Sequence, residues 1–278
     1  MTKKVVQLYP QPGGEIPLQG LYLSRNRLVQ ENTPLPLVYA NFSSSIDGRI
    51  ALQAGENNHY RLPSRLKSEE DFMLLLELYT HADCIITHGG YMRALAEGRL
   101  GNVLQLPQSS ETQYMHDWRA ERKLKKNPDV VIVSGSLQFP WHESLDESGQ
   151  EVHIATGGKA SLEAHQQWGA KGYTVSQFGE SSHVDVVKLM EFLQEQGYKS
   201  VCLMAGPDLL QDLLQHGYVK HFFVTMTHQI LGGQAFKTLV NGRPLGDEGR
   251  LTLESMYMDA QNSNSIGQWF VEFSITNQ

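Results

Sequence analysis

The chain has 278 residues, 40% of them hydrophobic, and carries 23 Lys and Arg against 30 Asp and Glu for a formal net charge of -7. That length and apolar content suit one large domain or two small ones with a filled core, which excludes disorder as the whole story. The acidic balance lacks the basic footprint that nucleic-acid capture needs, and the longest apolar clusters, such as "FMLLLEL", fall far short of the roughly 20 residues that span a bilayer, so neither nucleic acid nor membrane is expected as a partner.

The first residues, "MTKKVVQLYPQPGG", bring lysines without a continuous apolar run and do not read as a secretory signal, so a cytoplasmic location is expected. Residues 1–33 read as an N-terminal extension with a short strand around Leu21 to Leu23, and residues 34–278 as the main domain. From Pro34 onward, strand-like runs recur: "LVYANF", "DCIITH", "DVVIVS", "EVHIAT", "YTVSQF", "SVCLMA" and "VKHFFVTMTH". Helical patterns fall between several of them, and that alternation indicates an α/β domain. The segment "PQSSETQYMHDWRAERKLKKNP" reads as a loop followed by a basic surface helix whose Lys and Arg are solvated. The spacing predicts a helix over 184–196, with Val187, Met190 and Leu193 on one face, a capping box formed by Ser182 and Asp185, and Gly197 as the stop. A second helix follows Pro207, with Leu210, Leu213 and Leu214 on one side and Gly217 at its end.

Cys84 and Cys202 each lie in an apolar run and read as buried thiols, with neither a disulfide nor a Cys-based metal site expected. Eleven histidines occur without H-E-x-x-H or a close Cys/His set, so no metal is expected, and His81, His88, His221 and His228 read as surface or pocket-edge residues.

Chemistry is expected where strands end in glycine before a helix: "IITHGGYMRAL", "HIATGGKASLEAH" and "CLMAGPDLLQDLL". At such junctions, unpaired N–H groups and the helix dipole attract anions, and three of them could cradle a dinucleotide. Neither G-x-G-x-x-G after the first strand nor G-x-x-x-x-G-K-[ST] is present, so a nucleotide site would be built differently. The run "NFSSSIDGRIA" follows the apolar "PLPLVYA". Its change from core residues to hydroxyls and a carboxylate has two readings. Either the strand begins to line a pocket there, with Asp47 on the polar edge of a substrate, or Asp47-Gly48 is simply a turn.

Four stretches carry a family resemblance: "SIDGRIA" (45–51), "ADCIITHGGYMRA" (82–94), "MAGPDLLQDLL" and "THQILGGQAF". In order and spacing the chain resembles the pyrimidine reductase domain of riboflavin biosynthesis from roughly Pro34 to its end. The resemblance implies a dihydrofolate reductase-like three-layer α/β/α fold with a central mixed, mostly parallel sheet. It also implies hydride transfer from NADPH to the imine form of a ribosylaminopyrimidine, in a stand-alone reductase that pairs as a homodimer. By position, Ser43 would lie beside the nicotinamide, Gly89, Gly90 and Tyr91 would border the cofactor phosphates, and Gly206, Pro207 and Asp208 would form a second phosphate turn. Thr156 and Gly157, with Lys159 and Ser161 after them, would meet the 2′-phosphate. Asp47, as the catalytic candidate, would face the substrate together with Ser45, Asn57, His59 and Met204.

Departures from the family pattern cluster at the same places. Tyr91 stands where threonine is usual, Leu95 replaces an aspartate, and Met204-Ala205 replaces Glu-Gly. His59, Arg61, Arg65 and Arg93 are candidate replacements for a phosphate or carboxylate contact. The altered contacts leave two other readings open, a non-catalytic binding or interaction protein that retains the fold and an NADPH reductase of another small heterocycle.

Overall fold

A computed structural model describes residues 3–25, 28, 34–54, 60–260 and 266–275. From the N-terminus, β1 (Lys4–Tyr9), β2 (Glu15–Pro17), β3 (Leu37–Ser45), β4 (Arg49–Gln53) and β5 (Tyr60–Arg61) lead to the first helix, α1 (Glu69–His81). Strands then alternate with helices: β6 (Cys84–His88), α2 (Gly89–Ala96), α3 (Gln113–Glu121), β7 (Asp129–Val133), α4 (Ser144–Glu147), β8 (Val152–Thr156), α5 (Leu162–Ala170), β9 (Val175–Gln177), α6 (Val186–Glu195), β10 (Ser200–Leu203) and α7 (Pro207–Gln215). The chain closes through β11 (Val219–Thr227), β12 (Phe236–Thr238), β13 (Leu251–Asp259) and β14 (Gln268–Ile275). All seven strand-like runs expected from Pro34 onward are present as strands, in an α/β fold.

The residues group into two compact units, Met1–Arg25 with Val38–Glu77 and Pro207–Gln278, and Asn26–Leu37 with Leu78–Gly206. In the second unit the strands run β10-β6-β7-β8-β9, each parallel to its neighbour. Val130, Val131 and Ile132 of β7 and Cys84, Ile85 and Ile86 of β6 are all buried, as strands covered on both faces must be. Cys84 and Cys202 are buried, unbonded thiols, and burial pushes both well above their ordinary pKa.

Helix α6 corrects the expected face and cap. Val186, Leu189, Met190 and Leu193 are its buried residues, whereas Val187 is exposed. Asp185 alone is the N-cap, its carboxylate accepting from the N–H groups of Val187 and Lys188. The basic segment corrects a second expectation, because one of its charges is inside. Arg119 on α3 is 1% exposed. Its Nε donates to the Lys125 carbonyl at 2.7 Å and its Nη1 to those of Thr80 and Ala82 at 2.9 and 2.8 Å. A planar guanidinium presents five N–H donors in a rigid fork that can reach separate carbonyls, where an ammonium offers three from a single point.

The first unit has the strand order β2-β1-β13-β14-β11-β3, and a separate small sheet, β12-β4-β5. β11 runs parallel to β3, placing Thr225 beside Ser43 and Thr227 beside Ser45. Its other edge is antiparallel to β14, with Thr225 beside Phe270. β13 pairs antiparallel with both β14 and β1. The strand expected around Leu21 to Leu23 is instead a turn with buried side chains, and the Glu77 carboxylate accepts from the N–H groups of Tyr22 at 2.7 Å and Leu23 at 3.2 Å. In α7, Leu210, Leu213 and Leu214 are buried as expected, and Gly217 follows at φ 68.

Removing the Arg119 side chain leaves buried carbonyls without donors, at about 1–3 kcal/mol each. Arg119→Ala should therefore lower the unfolding free energy by about 3 kcal/mol or more, with Arg119→Lys recovering only part. Urea denaturation of the full chain measures this, and a loss below about 1 kcal/mol would contradict the role assigned to the guanidinium.

Candidate functional site at the strand ends

In the first unit, the polar stretch that ends β3 turns inward. Ser44 and Ser45 are buried, and the Ser43 hydroxyl donates to the Leu66 carbonyl at 3.0 Å. Ser45 joins the turn that follows: its hydroxyl donates to Asp47 Oδ1 at 2.5 Å and accepts from the Arg49 N–H at 3.0 Å. Gly48 sits at φ 76, which a β-carbon would disfavour, and its N–H closes the turn on the Ser45 carbonyl at 2.9 Å. The turn reading of Asp47-Gly48 thus holds, but the carboxylate reaches beyond the turn. It pairs with the Arg49 guanidinium and accepts from the N–H groups of Leu231 at 3.2 Å and Gly232 at 2.9 Å. Arg49 in turn lies over the Phe236 ring at 4.2 Å.

Asp47 is therefore held well below the usual carboxylate range, first by the Ser45 hydroxyl, then by the Gly232 and Leu231 N–H groups and the Arg49 charge. A carboxylate offers about four acceptor sites, and these four donors occupy them. Elsewhere in this unit, Pro207 opens α7, and Asp208 is exposed and accepts from Asn241 Nδ2 at 2.9 Å. Arg65 is exposed and directed at the Gln229 side chain. Asn57 and His59 lie outside the described residues.

The second unit holds the remaining candidates. Gly89 and Gly90 open α2, which has no side-chain cap. A β-carbon on Gly89 would stand 2.9 Å from Ser134 Oγ, and one on Gly90 2.8 Å from the His88 ring, so the glycines permit two close approaches at this helix start. The Tyr91 side chain turns away from that corner into the core with Met92, Leu95 and Phe139. Its hydroxyl donates to the Gly101 carbonyl at 3.0 Å and accepts from the Val103 N–H at 2.9 Å. Burial pushes Tyr91 up to about 12, and burial, then the nearby Arg93, pull His88 down to about 4. Arg93 itself is exposed and donates to the Gln138 carbonyl at 2.7 Å.

The "TGG" corner after β8 is filled by the chain itself. Thr156 is fully buried, and the segment 180–183 lies so close that a β-carbon on Gly157 would stand 2.4 Å from the Ser181 carbonyl oxygen. Lys159 is exposed, and Ser161 serves as the N-cap of α5, accepting from the Ala164 N–H at 3.2 Å. At the end of β10, the Met204 N–H donates to the Ile86 carbonyl at 2.8 Å, Ala205 is buried, and Gly206 has open space around its α-carbon. Within each unit, then, the expected residues sit at strand ends. Arg49, Leu231 and Gly232 were not singled out from the sequence, although "SIDGRIA" and "THQILGGQAF" contain them.

Comparison with known proteins bears on this arrangement directly. The model of the RibD C-terminal domain family matches residues 36–262. This chain belongs to that family. It is 26% identical over 213 residues to the riboflavin biosynthesis protein RibD of Escherichia coli, covering 77% of this chain and 54% of that protein. It is also 25% identical over 243 residues to the 2,5-diamino-6-ribosylamino-4(3H)-pyrimidinone 5′-phosphate reductase of Methanothermobacter thermautotrophicus, covering 86% of this chain and 98% of that one. The chain thus spans about half of the bacterial protein but nearly all of the archaeal one. Among solved structures, a pyrimidine reductase-like protein from Corynebacterium diphtheriae superposes with a TM-score of 0.69 at 18% identity, covering 95% of this chain and 100% of that one. RibD from Acinetobacter baumannii gives 0.59 at 16%, covering 88% and 59%. At those identities the likeness is one of fold. Among the described residues, no cluster of His, Cys, Asp and Glu is arranged to hold a metal, and no helix is long and apolar enough to cross a membrane.

The depressed acidity of Asp47 has a consequence for stability. A carboxylate lowered in the folded state stabilises it above the unfolded-state pKa, and that contribution is lost as pH falls toward the folded value. Asp47→Asn should be less stable than the parent at neutral pH, with the gap in urea midpoint narrowing below about pH 4. A gap unchanged between about pH 7 and pH 3 would show that the carboxylate charge is not what joins the turn to the 231–232 loop.

Proposed function

We propose that this protein is a reductase of the riboflavin pathway that transfers hydride from NADPH to the ribosylamino side chain of a pyrimidine carrying a 5′-phosphate. One observation carries the reading: the family match across 36–262, extended by similarity along 98% of the length of an archaeal protein named for that reduction.

The three glycine corners differ in how well they suit a dinucleotide. The start of α2 suits it, because Gly89 and Gly90 leave an uncapped helix N-terminus whose free N–H groups attract phosphate. Gly206, just before the start of α7 at Pro207, has open space around its α-carbon where a phosphate could approach. The Thr156-Gly157 corner does not suit it, since segment 180–183 already fills it, so the 2′-phosphate contact is omitted there. Tyr91 enters only through its backbone. When bound, the nicotinamide supplies the hydride.

In this reading the residues of the β3 end orient and shape. Ser43 borders the reacting end, and buried Ser45 ties the strand end to the turn. Asp47, singled out as catalytic, is a positioning residue here: it is anionic, its acceptor sites are taken, and it fixes Leu231 and Gly232 against the turn. Met204, partly buried at the end of β10, offers the substrate an apolar contact in place of a charged one. A homodimer and a cytoplasmic location belong to the same proposal.

Titration of the purified chain with NADPH and, separately, NADH tests the cofactor, followed by nicotinamide fluorescence and melting temperature. Micromolar binding of NADPH, with stabilisation of about 2.7 kcal/mol at a hundredfold excess over Kd, is the expected outcome. Consumption of NADPH on adding the ribosylaminopyrimidine 5′-phosphate should follow, and the sedimentation coefficient of the same sample reports pairing. A folded sample that binds neither nucleotide overturns the reading in favour of an interaction protein that retains the fold.

A further inference from the structure

At the amino ends of β6, β7, β8 and β10, the opposite end of these strands from Gly89 and Met204, the second unit has an open cavity of about 250 Å³. Asp83, Asp129, Glu151 and Tyr198 line it at or just before the strand starts, facing residues 119 and 123–125 around the end of α3 and residues 196–197 after α6. The volume is many times the roughly 30 Å³ share of one water and below the about 300–1,000 Å³ of drug-sized sites, which suits a small organic molecule.

We propose that this cavity binds a small zwitterion of the amino-acid type, with its ammonium on Asp83 and its carboxylate on Lys123. Three carboxylates and three basic side chains line the cavity, so their formal charges cancel, and a ligand of net charge would bring in a charge with no counterpart. Most of these groups are already engaged. Lys125 Nζ donates to Asp129 at 2.7 Å and to Glu151 at 2.8 Å, and Asp129 also accepts from the Tyr198 hydroxyl at 3.2 Å and the Glu151 N–H at 2.8 Å. Arg119 is turned to backbone carbonyls. Two groups of opposite sign stay open. Asp83 Oδ2 accepts from the N–H groups of Lys199 at 2.8 Å and Ser200 at 3.1 Å, but its Oδ1 has no partner among the described residues and is not sealed from solvent. Lys123 is exposed at the rim, also without a partner among the described residues. Among those residues no group of His, Cys, Asp and Glu is arranged to hold a metal, whereas an ammonium needs only an acceptor such as the open Asp83 oxygen. Leu124 and the Tyr198 ring give the rest of the ligand apolar surface.

The backbone at Lys123 is a second, independent observation. Helices α2, α4, α5, α6 and α7 are each followed by a glycine at positive φ, at Gly98, Gly149, Gly172, Gly197 and Gly217. Helix α3 ends in the same way, with the Lys123 N–H bonded to the Ala120 carbonyl and the Leu124 N–H to that of Arg119, both at 3.0 Å. Yet the residue in the left-handed position is Lys123, at φ 58. A β-carbon makes that conformation costly, and glycine would close the helix more easily, so the lysine is retained for its side chain. That side chain stands on the wall of the cavity.

The test is a thermal-shift screen of the full chain against the standard L-amino acids at about 10 mM, followed by calorimetric titration of those that stabilise it. At least one should bind with a Kd below about 1 mM, and the corresponding amine without the carboxylate, and acid without the ammonium, should each bind about tenfold or more weakly. Lys123→Gly should weaken that amino acid about tenfold or more, while the unliganded variant melts no lower than the parent. Asp83→Asn should weaken it similarly; because Asp83 also holds two N–H groups, the Lys123→Gly titration decides where that variant fails to fold. The proposal is overturned by a chain that no amino acid stabilises or by parent affinity in Lys123→Gly. It is also overturned by inorganic phosphate binding as tightly as the amino acid, which would mark a plain anion site.

Discussion

A single carboxylate holds two loops of the first unit in register. Asp47 gathers a hydroxyl from its own turn, a guanidinium from β4 and two N–H groups from the loop after β11. The loop glycines at 232 and 233 take φ of 64 and 93, conformations that a bulkier residue would resist, and the anion holds the Gly232 N–H in place. Of the three serines in succession, only Ser45 bonds that carboxylate. Buried hydroxyls need partners, and Ser43 and Ser45 find theirs in a carbonyl and in the turn itself. The polar run is therefore a structural device that also leaves hydroxyls at the carboxyl end of a parallel strand, where ligands of open α/β sheets gather.

The parallel half of the fold was legible because its strands are apolar on both faces and punctuated by glycine, as "DCIITHGG" and "SVCLMAGP" show. The antiparallel half was not, and the reason is specific. Glu272 and Ser255 are fully buried yet polar, and Asp259 and Gln268 are buried beside each other. Charges and amides on the inner face of β13 and β14 break the apolar alternation that marks a half-buried strand. The same physics hid Arg119, which pattern alone assigns to the surface and which only the three-dimensional arrangement of the Thr80, Ala82 and Lys125 carbonyls draws inside.

Site residues divide along the same line. "SIDGRIA" signalled the correct turn because its spacing is local, with Ser45, Asp47 and Arg49 bonded to one another. "TGG" misled because glycine has two uses that look identical in sequence: freeing N–H groups for a ligand, and making room for another stretch of backbone. At Gly157 the second use prevails, with the Ser181 carbonyl where a β-carbon would go. Gly89 and Gly90 border side chains of their own unit, Ser134 and His88, and leave the α2 start uncapped.

Two aspartates of the first unit end with opposite acidities, and the difference lies in their donors. Four donors converge on Asp47, whereas burial dominates at Asp71 and one threonine opposes it. The helix N-terminus on which Asp71 sits favours a negative charge, yet desolvation prevails, because the dipole is worth only about 0.3–1 kcal/mol at an ordinary helix start. The contrast sorts their roles in the fold: the carboxylate that stays ionised ties its turn to the 231–232 loop, while burial holds the other toward its protonated form.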